Sequence, residues 1–161
     1  MAIKVGDRLP SATFTTMTAD GPKPQTTDDI FKGKKVVLFA VPGAFTPTCH
    51  KNHLPGFVQN AEKIKAKGID TIAVTGVNDV FVMDAWKKST GADGKIEFLA
   101  DGNGEFAKGI DMAFDGSGAG LGTRSKRYSM LVDDGVVKTI NIEDAPGKCD
   151  ISGGQALLGQ I

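Results

Sequence analysis

Eight residues, K-K-V-V-L-F-A-V at 34–41, constrain the fold more than any other stretch of the chain. Six apolar side chains follow one another without polar alternation, in a run too short for a buried helix. That pattern is expected of a strand covered on both faces. Such strands belong to parallel or mixed sheets carrying helices on each side. The run passes straight into V-P-G-A-F-T-P-T-C-H-K-N-H-L-P-G-F (41–57), which holds one cysteine, two histidines and three prolines in seventeen positions. Thr46 followed by Pro47 reads as an N-cap with proline at the first helical position, where its missing N–H costs nothing. The helix is expected to run through Cys49, kink near Pro55, bury Phe57, Val58, Ala61 and Ile64, and stop at Gly68. I-D-T-I-A-V-T (69–75) reads as the next strand, so 34–75 forms a β-α-β unit with parallel strands and a right-handed crossover.

The remaining segments extend this plan. S-A-T-F-T-T alternates like a short strand, and T-T-D-D-I-F forms a brief helix capped by Thr27 or Asp28 and closed by Gly33. A helix starts from a cap at Asn78 or Asp79 and continues through V-F-V-M-D-A-W-K-K. K-I-E-F-L-A-D (95–101) is a strand, a short helix covers Glu105 to Lys108, and D-G-S-G-A-G-L-G (115–122) is a glycine-rich loop. The tail carries a hairpin, R-Y-S-M-L-V-D and V-V-K-T-I-N-I around the Asp134-Gly135 turn, then a helix capped by Ser152. With no repeats and no linker, the expectation is one α/β domain over 1–161, a central mixed β-sheet flanked by helices.

Charge and cysteine usage remove several classes of function. Nineteen basic and nineteen acidic residues cancel, so nothing in the balance recruits nucleic acid or an anionic membrane. The basic cluster R-S-K-R (124–127) is expected to be a solvated strand flank. No apolar run approaches the roughly 20 residues that cross a bilayer. The start, M-A-I-K-V-G-D-R-L-P, lacks the pattern of a signal peptide, and a cytoplasmic location is expected. Cys49 and Cys149, a hundred positions apart, do not make a disulfide framework.

With Thr46 as N-cap, Cys49 falls at the third helical position, where unpaired N–H groups and the positive end of the helix dipole favour an anion. That position suits a nucleophile. The Thr46 hydroxyl is placed to accept from the Cys49 N–H, or to turn toward the sulfur and whatever it attacks. A dithiol oxidoreductase or thioredoxin-type chaperone would read C-x-x-C here; this chain reads T-P-T-C, with a hydroxyl in place of the second sulfur. A zinc-binding module is the other alternative, since Cys49 and His53 are an i, i+4 pair with His50 adjacent and Cys149 conceivable as a fourth ligand. Against it, structural zinc sites use paired knuckles, and His50 points about 100° away from Cys49 on a helix. G-N-G-E-F-A (102–107) fails as a dinucleotide fingerprint because no acidic strand end follows about 20 residues on. The overlapping D-G-N-G-E-F lacks the glycine and closing glutamate of a calcium loop. Trp86 is expected in the core or an interface.

P-G-A-F-T-P-T-C contains the pattern P-x-x-x-T-x-x-C, formed by Pro42, Thr46 and Cys49, and it resembles the active-site signature of peroxiredoxins. Together with V-N-D-V-F-V-M-D-A-W (77–86) and K-R-Y-S-M (126–130), the chain resembles the type II, peroxiredoxin-5-like subfamily over essentially its whole length. The resemblance implies a thioredoxin-like fold and thiol-dependent reduction of hydrogen peroxide and alkyl hydroperoxides, with no metal or organic cofactor. It implies Cys49 as the peroxidatic cysteine, Thr46 as a hydrogen-bond partner of the peroxide, Pro42 as a shield of the pocket, and Arg127 as the guanidinium that stabilises the thiolate. The sequence alone offers no reason to prefer Arg127 over Arg124. For recycling, glutathione with glutaredoxin is the expected reductant. Thioredoxin and a resolving role for Cys149, through partial unwinding of the active-site helix, are the alternatives. The subfamily also suggests a homodimer joined near the A-F-T-P loop and the V-F-V-M-D-A-W helix.

Overall fold

The computed structural model describes residues 2–161. The run 34–41 supplies strand β3 (Lys35–Ala40), in the middle of a seven-stranded mixed sheet. The other strands of that sheet are β1 (Thr13–Thr18), β2 (Gly21–Thr26), β4 (Thr71–Gly76), β5 (Glu97–Ala100), β8 (Tyr128–Asp133) and β9 (Val136–Ile142). Their order is β2-β1-β5-β4-β3-β8-β9. β3 pairs with β4, and β4 with β5, in parallel, while β8 lies antiparallel to β3. A separate two-stranded ribbon is made by β6 (Ala113–Asp115) and β7 (Thr123–Ser125).

Alternation along β3 divides the core in two. Val37, Phe39 and Val41 face one layer, built with Leu54, Phe57, Ile64, Val74, Met83, Trp86 and Leu157. Val36, Leu38 and Ala40 face the other, with Phe14, Phe31, Leu99, Phe106 and Tyr128. Both faces are therefore dry, which is why the run has no polar period. α2 (Leu54–Lys65), α3 (Val80–Thr90) and α5 (Gly154–Leu158) supply side chains to the first layer; α1 (Thr27–Phe31) and α4 (Glu105–Gly109) supply the second.

Several local expectations shift. α1 is capped by Thr26 in a capping box with Asp29, one residue earlier than expected. Asp79 caps α3 through the Val82 N–H. G-P-K-P-Q-T forms the edge strand β2 despite Pro22 and Pro24, since an edge position needs only half of its N–H groups in the ladder. The glycine-rich loop is bracketed by β6 and β7. The Asp134-Gly135 hairpin turn forms as expected, with both residues at positive φ. No helix among the described residues is long and apolar enough to cross a membrane.

Candidate active site

β3 delivers the chain to the site, and the Val41 N–H still bonds to Thr75 before Pro42 breaks the ladder. The backbone then turns through Phe45, which takes a positive φ of 64° and leaves its ring about half exposed at 48%. Helical structure begins at Pro47, and the His50 N–H donates to the Thr46 carbonyl at 2.8 Å, so Thr46 does open the helix. The expected side-chain cap is absent. The Thr46 hydroxyl donates instead to the Gly43 carbonyl at 2.7 Å. The helix also departs from α geometry earlier than the expected kink at Pro55: Cys49–His53 is a π-helical turn, closed by the Leu54 N–H on the Cys49 carbonyl. Such turns are rare and recur at functional sites. Here it brings Cys49 and His53 toward the sheet together, both fully buried.

Arg127, just before β8, meets them. Its Nη2 donates to Cys49 Sγ at 2.9 Å and its Nη1 to His53 Nδ1 at 2.9 Å. Nε and Nη2 also donate to the Pro146 carbonyl, at 3.2 and 3.0 Å. A guanidinium is only a donor, so His53 Nδ1 accepts, and the ring proton sits on Nε2, which donates to the Ser152 carbonyl at 2.9 Å. Burial, and then the neighbouring Arg127 charge, lower the His53 pKa from 6.5 to about 3, so the ring is neutral at ordinary pH. Ser152 is held in turn by Glu143, whose Oε2 accepts from the Ser152 N–H, the Ser152 hydroxyl and the Asp150 N–H. Burial pushes the Glu143 carboxyl up, but these donors and Arg127 outweigh it and hold it below the ordinary carboxylate range.

The basic cluster is thus no solvated flank. Arg127 is 2% exposed, and Arg124 of β7 is half-buried, donating to the carbonyls of Leu121 at 3.0 Å and Pro42 at 3.1 Å. Pro42 itself is buried beneath the loop. Cys149 lies in the 144–152 segment, half-buried and unpaired; the Thr48 hydroxyl donates to Gly147 of that segment at 3.1 Å. His50 turns away from the sulfur, accepting from the Trp86 indole N–H at 3.1 Å. Among the described residues no group of three or more histidine, cysteine or acidic side chains could hold a metal ion. Both ring nitrogens of His53 are already engaged.

The resemblance groups Cys49, Thr46, Pro42 and Arg127; the fold brings Arg127 onto Cys49, while the Thr46 hydroxyl meets Gly43 and the Pro42 carbonyl meets Arg124. Sequence reasoning named Arg124 only as an alternative to Arg127, and it missed Glu143 and the Pro146 carbonyl. It noted the i, i+4 spacing of Cys49 and His53 only as a zinc alternative, which it argued against, whereas that spacing aims both side chains at one arginine.

A mixed sheet with helices on both faces, and a buried thiol at a helix start under a guanidinium, define a protein of thioredoxin-like architecture. The redoxin family model matches residues 4–158, and the chain belongs to that family, among the type II peroxiredoxins. It is 48% identical over 147 residues to chloroplastic peroxiredoxin-2E of Arabidopsis thaliana, and 51% identical over 147 residues to chloroplastic peroxiredoxin-2E-2 of Oryza sativa. These matches take in 89% and 88% of this chain but only 63% and 65% of those two proteins. The crystal structure of reduced Prx3 from Vibrio vulnificus in complex with hydrogen peroxide superposes with a TM-score of 0.93 at 46% identity, covering 98% of each chain.

Proposed function

We propose that this chain is a thiol peroxidase that reduces hydrogen peroxide and organic hydroperoxides at Cys49. The observation that carries the reading is the 2.9 Å contact between Arg127 Nη2 and the buried Cys49 sulfur, which stabilises negative charge there and keeps a donor beside any oxygen the sulfur attacks. The thiolate forms an S–O bond to one peroxide oxygen while the O–O bond breaks, and the departing oxygen takes up a proton to leave as water or alcohol. The sulfur, oxidised by two electrons, becomes a sulfenic acid. Because the Thr46 proton is committed to Gly43, its oxygen faces the pocket as an acceptor for the peroxide O–H. Pro42, buried just past the end of β3, is assigned the role of shielding the sulfur. The reduced Prx3 of Vibrio vulnificus, at 46% identity, is a peroxide-bound relative.

Two thiols then return Cys49 to the reduced state. Cys49 has no exposed surface, so the peroxide needs some opening of the helix start and a larger reductant needs more, and the π-helical turn is the place where helical bonds are least regular. Glutathione with glutaredoxin, or thioredoxin, is the proposed external donor. One observation favours Cys149 as an internal donor: its segment is hydrogen-bonded to Thr48, one residue from Cys49. The exposed Phe45, whose ring lies 6.5 Å from the Trp86 indole, and the exposed Phe81 of α3 are proposed to contribute to a surface that binds a second copy of the chain. A reducing compartment such as the cytoplasm suits two unpaired cysteines.

Intact mass after one equivalent of hydrogen peroxide, on wild type, Cys49→Ser and Cys149→Ser, tests the assignment. A sulfenic or glutathionylated Cys49 that forms equally in Cys149→Ser supports external recycling. Loss of two protons in wild type, abolished by either substitution, shows the Cys149 route. An unmodified Cys49 overturns the peroxidase reading.

A further inference from the structure

The acceptor role of Thr46 depends on the direction of one carbonyl, that of Gly43, and two residues outside the P-x-x-x-T-x-x-C pattern, Arg124 and Asn78, control it. The peptide plane between Pro42 and Gly43 is held on its carbonyl side by Arg124 Nη1 at 3.1 Å, while Arg124 Nε is anchored on Leu121 at 3.0 Å. The next plane contains the Gly43 carbonyl and the Ala44 N–H, and that N–H donates to Asn78 Oδ1 at 2.9 Å. Two consecutive planes are therefore fixed from opposite sides, one by the ribbon β6–β7 and one by the loop before α3. Gly43 is the pivot between them. A Cβ there would stand 2.5 Å from Arg124 Nη1 and 3.1 Å from the Thr46 methyl, so only glycine admits the guanidinium.

We propose that Arg124 and Asn78 are positioning residues for the peroxidase reaction: by locking the planes on either side of Gly43 they hold its carbonyl toward the Thr46 hydroxyl, and so present the threonine oxygen to the peroxide as an acceptor. Arg124 forms no ion pair within 4 Å among the described residues, so its charge is not consumed by a carboxylate. Its planar fork spans two carbonyls, which a lysine ammonium on a flexible stem does not reproduce. The inference rests on the peroxidase reading of Cys49 and adds a division of labour: Arg127 acts at the sulfur, and Arg124 acts through Thr46 at the peroxide.

The test separates these two effects on Cys49 with two reagents. Oxidation by hydrogen peroxide uses the Thr46 acceptor, whereas alkylation by iodoacetamide, read on the Cys49 peptide by mass spectrometry, depends on the sulfur and on opening of the helix start but not on that acceptor. Arg124→Gln and Asn78→Ala are each expected to slow peroxide oxidation by about 10- to 100-fold, as small misplacements near a reacting group do. Alkylation is not expected to slow by more than about twofold, since thiolate character is untouched and a loosened loop only eases access to the sulfur. Arg124→Lys falls between Arg124→Gln and wild type. Gly43→Ala, which expels the guanidinium without removing it, behaves like Arg124→Gln. Combined with Thr46→Val, neither substitution slows oxidation further, because both act through the lost hydroxyl. Unchanged peroxide rates in Arg124→Gln and Asn78→Ala, equal losses toward both reagents, or losses that multiply with Thr46→Val would each overturn the inference while leaving the peroxidase reading intact. A wild type that consumes no peroxide removes both.

Discussion

The two cysteines sit in regions held by different physics. The turn Cys49–His53 belongs to the apolar layer: the His53 ring lies 4.9 Å from Phe39 and 5.5 Å from Phe57, and those two phenylalanines stack at 4.0 Å. The segment 144–152 is exposed along most of its length and is tied down by polar contacts alone at Pro146, Gly147, Asp150 and Ser152. Moving the turn breaks packing; moving the segment breaks a few hydrogen bonds that water can replace. The Cys49 sulfur, proposed as the reacting one, is therefore in the tightly packed, rigid region and the Cys149 thiol in the yielding one. Arg127 and His53 join the two, since Arg127 bonds to Cys49 and Pro146, and His53 to Arg127 and Ser152.

Removing that junction gives the largest effect. Arg127→Gln deletes the donor at the sulfur, and loss of one such donor costs about 10²–10³ in rate. It also frees Pro146 and leaves the buried His53 Nδ1 without its partner. Arg127→Lys does not restore activity, because a point charge cannot serve Cys49, His53 and Pro146 at once. Stopped-flow peroxide consumption, with hydrogen exchange over 144–152, measures both halves. Normal exchange alongside the rate loss would mean that the two regions are not joined through this side chain.

His53 sets the next effect, on stability. Its pKa is about 3 in the folded chain and near 6.5 when unfolded, so above pH 6.5 neither state binds the proton and the folded state keeps its full stability. Between about 6.5 and 3 only the unfolded chain binds it, and stability falls by about 1.4 kcal/mol per pH unit before levelling off. His53→Phe should show a shallower acid limb in denaturant titrations at pH 7, 5.5 and 4.5, with a lower starting stability at pH 7 because Arg127 and Ser152 each lose a partner. An unchanged slope would show that the ring is solvated in the native state.

What the sequence discloses about these regions follows the same division. The buried strand, the helix start and the hairpin were legible because hydrophobic period, proline placement and the Asp134-Gly135 turn are local signals. Cys49, Thr46, Pro42 and Arg127 were legible as a group through the resemblance to peroxiredoxins. The roles of Arg124 and the Pro146 carbonyl were not, since each acts on a residue far along the chain, and that of Glu143 was not, since its bonds to Asp150 and Ser152 close an irregular segment that has no periodic pattern. Arg127 and Pro146 are 19 positions apart, and Arg124 and Pro42 are 82 apart. Only the folded sheet brings β7 over the active-site loop. Thr46 was half legible: its place at the helix start is local, but the direction of its hydroxyl depends on Gly43.

A smaller effect is expected at Glu143, the anchor of the yielding region. Glu143→Gln keeps an acceptor but removes the charge from three hydrogen bonds, at a cost of about 1 kcal/mol confined to the segment. Exchange at the Asp150 and Ser152 amides should rise, while Cys49 oxidation changes far less than in Arg127→Gln. A loss of peroxide rate comparable to that of Arg127→Gln would place Glu143 in the rigid region instead.

The finest test of the comparison is the reactivity of Cys149. Burial pushes its thiol up, Arg127 and the Ser152 hydroxyl pull it down, and the charges of Glu143 and Asp150 add to the upward push. The balance is upward, so at neutral pH Cys149 should be alkylated more slowly than an unfolded cysteine. Glu143→Gln removes one raising charge and should quicken the alkylation, whereas Arg127→Gln removes a lowering charge and should slow it. Each substitution also loosens the segment, and exposure alone would speed the reaction in both variants. Opposite changes in rate therefore show that the electrostatic junction governs the second thiol, and parallel acceleration shows that segment mobility does.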